Sequence, residues 1–230
     1  MLISSRQRLA TIDNRNLTVQ INGQQLTTVD KCKHLGVIID KHLTWNENIE
    51  YTRKKALKGL HMLKRAKPFL PRDILKTVYS AIVLPHLQYC NIVWGNCGLT
   101  SASRLQIIQN RSARIICGVT WDTPSHEVLS TLKWLPLNIR QIYNCNILSY
   151  KIINNTAPSY LNDLLLYNDV NNYNLRRSKF NVIIPKPKTN YKKRSFSYRG
   201  AIEWNKLDQN IQVSPNLSIF ISRLKRMSQL

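Results

Sequence analysis

The sequence predicts a mainly α-helical protein with a small antiparallel β-hairpin sheet at its N-terminal end. Three observations carry that prediction. Alternation of apolar residues with a period of two is confined to the stretch before Lys41, and this is the spacing of a half-buried strand. From Trp45 onward the apolar residues recur three and four positions apart, as the buried stripe of a helix requires. Prolines and glycines then punctuate the chain at Pro68, Pro71, Pro85, Gly95, Gly98, Gly118, Pro124 and Pro136, dividing it into several helices.

At the start, Leu17, Val19 and Ile21 alternate and Asn22-Gly23 follows. Asn-Gly is a strong hairpin signal because both central residues of a type I′ turn need positive φ. Gln24 to Thr28 is expected to return, and Cys32-Lys33-His34-Leu35-Gly36-Val37-Ile38-Ile39-Asp40 reads as a further strand. Leu35, Val37 and Ile39 would share a face, with Gly36 marking a bulge or a close approach to the backbone. Three strands of this length are too few to stand alone, so either the sheet packs on the helices C-terminal to it or its partner strands lie upstream of residue 1.

Thr44-x-x-Glu47 is a capping box, which starts a helix at Trp45. Trp45, Ile49, Thr52, Ala56, Leu60 and Leu63 form its apolar stripe. At 100° per residue Lys54, Lys58, His61 and Arg65 fall opposite, flanked by Arg53, Lys55 and Lys64. A charged row is ordinarily just a solvated face. Here acidic residues four positions away are missing apart from Glu47 and Glu50, so the row repels itself unless a polyanion lies along it. A second helix should run from Asp73 to Trp94 through Ile74, Leu75, Val78, Tyr79, Ile82 and Leu87, kinked or broken at Pro85. A third, capped by Thr100 or Ser101 and closed by Gly118, buries Leu105, Ile108 and Ile115 and presents Arg104, Arg111 and Arg114. Thr123-Pro124 opens a short helix, Asn138 to Asn154 a longer one, and Pro158 another short one. Tyr167 to Asn174 reads as irregular. Arg176 to Arg199 interleaves Lys192, Lys193 and Arg194 with Tyr191 and Phe196; this suits either single-stranded nucleic acid or a linker. Ser197–Leu207 and Leu217–Met227 read as two final amphipathic helices.

The net charge is +22, and it is uneven. Residues 51–118 hold 12 Lys and Arg against one Asp, and residues 171–230 hold 13 against two acidic residues, while 119–170 is near neutral. Such excess points to nucleic acid or an anionic membrane surface. The longest apolar run, Ala81 to Leu87, falls far short of the ~20 residues of a membrane span, so no membrane partner is expected. Five cysteines without regular spacing or a secretory leader suggest reduced thiols, hence a nuclear or cytoplasmic protein. The carboxylates are scattered with no Asp-Asp pair, no phosphate-binding loop is present, and Cys90-x6-Cys97 with His86 has the wrong spacing for zinc. No catalytic residue, metal ligand or cofactor is expected in this chain.

Lys33 to Asp40 followed by Leu43-Thr44-Trp45 resembles the end of the reverse-transcriptase palm in LINE-type (non-LTR) retrotransposons of jockey-like kind. The resemblance runs on through Tyr79, Leu84-Pro85, Tyr89, Val93-Trp94-Gly95, Leu105, Gln109-Asn110 and Ala113-Arg114-Ile115-Ile116. It extends to Pro158-Ser159-Tyr160-Leu161, Arg176-Arg177-Ser178 and Arg199 to Asn205. It implies a primer-grip-like element at His34, Leu35 and Gly36, with His34 standing where the family usually has Phe or Tyr. It also implies a palm end at 1–43, a basic thumb-like region at 44–118, a helical region at 119–170 and a basic C-terminal extension at 171–230. The nucleic-acid contacts implied are Arg53, Lys54, Lys58, His61, Lys64, Arg65, Arg111, Arg114, Lys192, Lys193 and Arg194. The full-length family polymerase uses Mg²⁺ and an aromatic-Asp-Asp motif, which would lie before residue 1. The chain is therefore expected to be a C-terminal polymerase fragment that binds an RNA template and DNA primer without catalysing synthesis. A noncatalytic nucleic-acid-binding module and a non-functional remnant are the alternatives.

Overall fold

The computed structural model describes residues 1–11, 19–166 and 181–228. It is mainly helical, with two small antiparallel hairpins near the N-terminus. After helix α1 (Arg6–Thr11) come β1 (Gln20–Ile21) and β2 (Gln24–Gln25), then β3 (Lys31–His34) and β4 (Val37–Asp40). The expected three-stranded sheet does not form: β1 pairs only with β2, and β3 only with β4. Asn22-Gly23 makes its turn, with φ of 48° and 77°. Cys32 to Ile39 is not one strand but a hairpin that reverses at Leu35-Gly36, where φ is 44° and 84°. Leu35 therefore sits at a tip, 78% exposed, while Val37 alone of the expected face is buried. Leu17, the stretch 167–174 and Arg176 to Phe180 lie outside the described residues.

α2 (Asn46–Ala66) buries the predicted stripe from Trp45 to Leu63. Its cap differs from the one expected. Trp45 is left-handed, with φ of 66°, and no capping-box side chain closes the turn. Asp40 does that work, its carboxylate accepting from the backbone N–H groups of His42, Thr44 and Trp45 at 2.9–3.0 Å. Glu47, freed from the box, pairs with Lys31 at 3.0 Å. The asparagine amide of Asn48 completes the join, its oxygen accepting from the N–H of Ile38 at 3.0 Å. The hairpin is thus tied to the helix by polar groups before any apolar packing is counted.

The helix expected over Asp73–Trp94 is in three pieces: α3 (Arg72–Ile82), α4 (Leu84–Gln88) and α5 (Asn91–Trp94). Pro85 lacks an N–H and its ring crowds the preceding turn, so the first break falls at Val83. The second falls at Cys90, which is left-handed at φ 51°. Ile74, assigned to the buried face, is 47% exposed. α6 (Leu99–Cys117) is capped at Gly98, two or three residues earlier than expected, and ends at Gly118, whose φ of 71° lets its N–H return to Arg114 and Ile115. α7 (Ser125–Leu132) and α8 (Leu137–Ile153) follow, then a 3₁₀ turn at Ser159–Leu164, α9 (Asn190–Arg194), α10 (Phe196–Asn205), α11 (Gln209–Gln212) and α12 (Leu217–Ser228).

Burial separates two cores. The first joins Val37 and Trp45 to the apolar faces of α2, α3, α6 and α7, with Tyr79 stacked on Trp134 at 4.1 Å. The second gathers Tyr150 and Ile152 of α8, Val182, and residues of α10 to α12 around Trp204 and Phe220. The near-neutral stretch therefore divides between them, α7 and Leu137 at the start of α8 going to the first core and the later turns of α8 to the second. Gln106, Gln109 and Asn144 bond across the junction, to Leu137, Leu135 and Asn91 respectively.

Candidate nucleic-acid interface

α2 and α6 pack side by side and run in the same direction. Ser101 donates to the side-chain oxygen of Asn46 at 2.8 Å, joining their first turns. At their far ends the Lys67 ammonium lies 3.9 Å from where a β-carbon on Gly118 would stand. The buried sides of both helices meet in the first core, which leaves the charged side of each turned to solvent. On α2, Lys54, Lys58, His61, Lys64 and Arg65 are all exposed. Among the described residues none of these five is in an ion pair. From Lys54 to Arg65 the helix rises ~16 Å at ~1.5 Å per residue.

Two residues grouped with this row are engaged inside the fold. Arg53 forms a two-point pair with Glu50, at 2.9 and 3.2 Å. The arginine holds the Glu50 carboxyl below its ordinary range, with burial opposing and Lys54 and Arg104 adding to the effect. Glu47 and Glu50 stand at Glu-x-x-Glu spacing, yet each turns to its own cation, Lys31 or Arg53. Arg114 is half-buried and donates to the Thr123 carbonyl and the Ser125 hydroxyl at 2.8–3.1 Å, fastening α6 to the start of α7. Arg104 and Arg111 remain exposed on α6.

The second basic zone meets the first. Asn96, just before α6, donates to the backbone carbonyl of Arg194. Lys192, Lys193 and Arg194 on α9 are exposed there, at the end of the helix pair where α2 and α6 begin. In the sequence the two zones are separate, and the fold brings α9 of the second against the loop before α6 in the first.

His34, Leu35 and Gly36 form the tip of the second hairpin. Leu35 in the left-handed region is costly for a residue with a β-carbon. The tip is held from outside. The Tyr89 hydroxyl donates to the Leu35 carbonyl at 2.6 Å, and a β-carbon on Gly36 would stand 3.2 Å from the Tyr89 ring. Tyr89 is itself fixed by Trp94, whose indole N–H donates to the Tyr89 carbonyl at 2.7 Å. Tyr89 belongs to the resemblance but not to the predicted contacts, and nothing local in the sequence links it to Leu35. Among the described residues no three His, Cys, Asp or Glu side chains converge as metal ligands would.

The chain aligns with RNA-directed DNA polymerases of mobile elements. It is 29% identical over 118 residues to that of mobile element jockey from Drosophila funebris. To the probable RNA-directed DNA polymerases of transposon X-element and transposon BS, both from Drosophila melanogaster, it is 33% identical over 94 residues and 25% over 111. The chain is similar to the polymerases of jockey-like non-LTR retrotransposons. The matches cover 50%, 39% and 47% of this chain, but only 13%, 10% and 12% of the relatives' own lengths. No family model matches the chain, and no solved structure does. Among the described residues no helix is long and apolar enough to cross a membrane.

Proposed function

We propose that this chain is the template–primer-binding part of a reverse transcriptase of jockey-like type, and that it does not carry the polymerase's catalytic carboxylates. The paired basic helices track the phosphate backbone of an RNA–DNA duplex, with Lys54, Lys58, His61, Lys64 and Arg65 of α2 and Arg111 of α6 along it. Lys192, Lys193 and Arg194 extend the track at one end. The hairpin tip at His34, Leu35 and Gly36 meets the primer strand. One observation carries the reading: an exposed cationic row, without ion pairs among the described residues, on a well-packed helix in a chain similar to RNA-directed DNA polymerases. Arg53 and Arg114 serve the fold in this scheme.

Fluorescence anisotropy with a labelled RNA–DNA hybrid tests it. Sub-micromolar binding is expected at low salt, with log K falling by roughly 0.9 per phosphate neutralised as log salt rises. Replacing Lys58, Lys64 or Arg65 by Gln should each lower that slope by about one. Purified protein supplied with Mg²⁺, primer–template and nucleotides should incorporate none, because the 230 residues hold no Asp-Asp pair. Weak, salt-insensitive binding would count against the reading.

A further inference from the structure

The register between the second hairpin and α2 creates a second, more local feature. Lys31 and Lys33 stand two apart on β3, about 6.6 Å along a strand. Glu47, Tyr51 and Lys55 stand four apart on α2, about 6 Å along a helix. The two ladders are therefore nearly in step, and their rungs meet. The first rung is Lys31 with Glu47, a compensated ion pair at 3.0 Å. The next rung is different. Lys33 donates to the Tyr51 hydroxyl at 3.0 Å, and its ammonium lies 4.9 Å from the ring centre while that of Lys55 lies at 4.6 Å. Two cations converge on one phenol, and no carboxylate is paired with either among the described residues.

We infer that Lys33, Tyr51 and Lys55 form a phosphate clamp, placed just behind the hairpin tip. The two ammonium groups supply charge, one from the strand and one from the helix, and the phenol O–H supplies a third donor. A phosphate oxygen would take the place on this rung that the Glu47 carboxylate takes on the rung before. The site rests on the proposed nucleic-acid-binding role and adds to it a discrete contact near the primer end. The local field agrees with the geometry. The hydrogen bonds from Lys33 and Lys55 pull the Tyr51 phenol down to about 8. On the other side, burial and then the charge of Lys55 lower the His86 imidazole of α4.

The test compares wild-type protein with a Lys33→Gln/Lys55→Gln double variant, using Lys133→Gln as a charge control and Tyr51→Phe as a spectroscopic blank. The ligands are RNA–DNA hybrids ending in either a 5′ hydroxyl or a 5′ phosphate. The clamp predicts that the double variant loses about threefold to fourfold less affinity than wild type between roughly 50 and 200 mM salt, the share of one phosphate contact; Lys133→Gln should match wild type. A defect seen with both ligands assigns the clamp an internal phosphodiester, and one confined to the phosphorylated hybrid assigns it a terminal phosphate. The ultraviolet titration of the Tyr51 phenol should also move upward when the hybrid is bound, because phosphate competes for both ammonium groups. Normal hybrid binding with an unchanged salt slope and an unmoved phenol titration would overturn the clamp while leaving the proposed function standing. Absence of binding by wild-type protein would overturn the proposed function itself, and the clamp with it.

Discussion

The two hairpins use the same kind of turn for opposite reasons. At Asn22-Gly23 both residues tolerate positive φ, so the chain reverses by local preference. That hairpin is short, exposed throughout, and a β-carbon on Gly23 would touch nothing. At Leu35-Gly36 the first residue resists the conformation, and the turn is held by tertiary contacts, from Tyr89 to the Leu35 carbonyl and from Asn48 to the N–H of Ile38 beside it. The strained hairpin is the one that bears the candidate functional tip and Lys33, one of the three residues of the proposed phosphate clamp. Strain held in place by surrounding structure is a common property of sites that must present a fixed geometry.

Breaking the support should cost more than altering either turn. Asp40→Ala removes the carboxylate that gathers the N–H groups of His42, Thr44 and Trp45, so a loss of about 2 kcal/mol is expected in urea unfolding. Burial alone would raise the Asp40 carboxyl, but its backbone hydrogen bonds from Thr44, Trp45 and His42 outweigh burial and lower it. Its contribution is therefore full above the ordinary carboxylate pKa of about 4 and fades as pH falls through the lower folded value. In Asp40→Ala that part of the acid-side loss of stability should be missing.

Next in size is Gly36→Ala, which meets both an unfavourable φ and the Tyr89 ring, and should cost about 1–2 kcal/mol. Leu35→Asn sharpens the contrast, because it gives the second hairpin the Asn-Gly turn of the first. It should stabilise the protein by about 1 kcal/mol in the same unfolding assay. If the exposed Leu35 side chain matters at the primer, affinity for a recessed primer end should fall while stability rises. The smallest effect belongs to Gly23→Ala, at about 0.5 kcal/mol or less in global unfolding, since the first hairpin is tied to little else.

The same contrast explains what could be read from the sequence. The stripe of α2, the break at Pro85, the closure of α6 by Gly118 and the Asn22-Gly23 turn are local properties, set by periodicity and backbone preference, and each was legible. The Leu35-Gly36 reversal was not, because alternation of Leu35, Val37 and Ile39 is equally compatible with one strand. The capping box at Thr44 lost to Asp40, a charged acceptor that takes the Thr44 N–H the box would have used, together with those of His42 and Trp45. Pairing of α2 with α6 in one direction, and the meeting of α9 with the loop before α6, depend on long-range packing that no local pattern encodes. The cationic row of α2 was visible from spacing alone, but the engagement of Arg53 with Glu50 and of Arg114 with Thr123 emerges only in the folded chain.

The most direct test of the central claim is the salt dependence of RNA–DNA hybrid binding, measured for wild-type protein and for Lys54→Gln/Lys58→Gln/Lys64→Gln/Arg65→Gln. The basic-helix reading predicts a steep wild-type slope that becomes shallower by roughly three to four in the quadruple variant, about 0.9 for each phosphate left unneutralised. An equal slope in the two proteins, with the variant still folded, would contradict it.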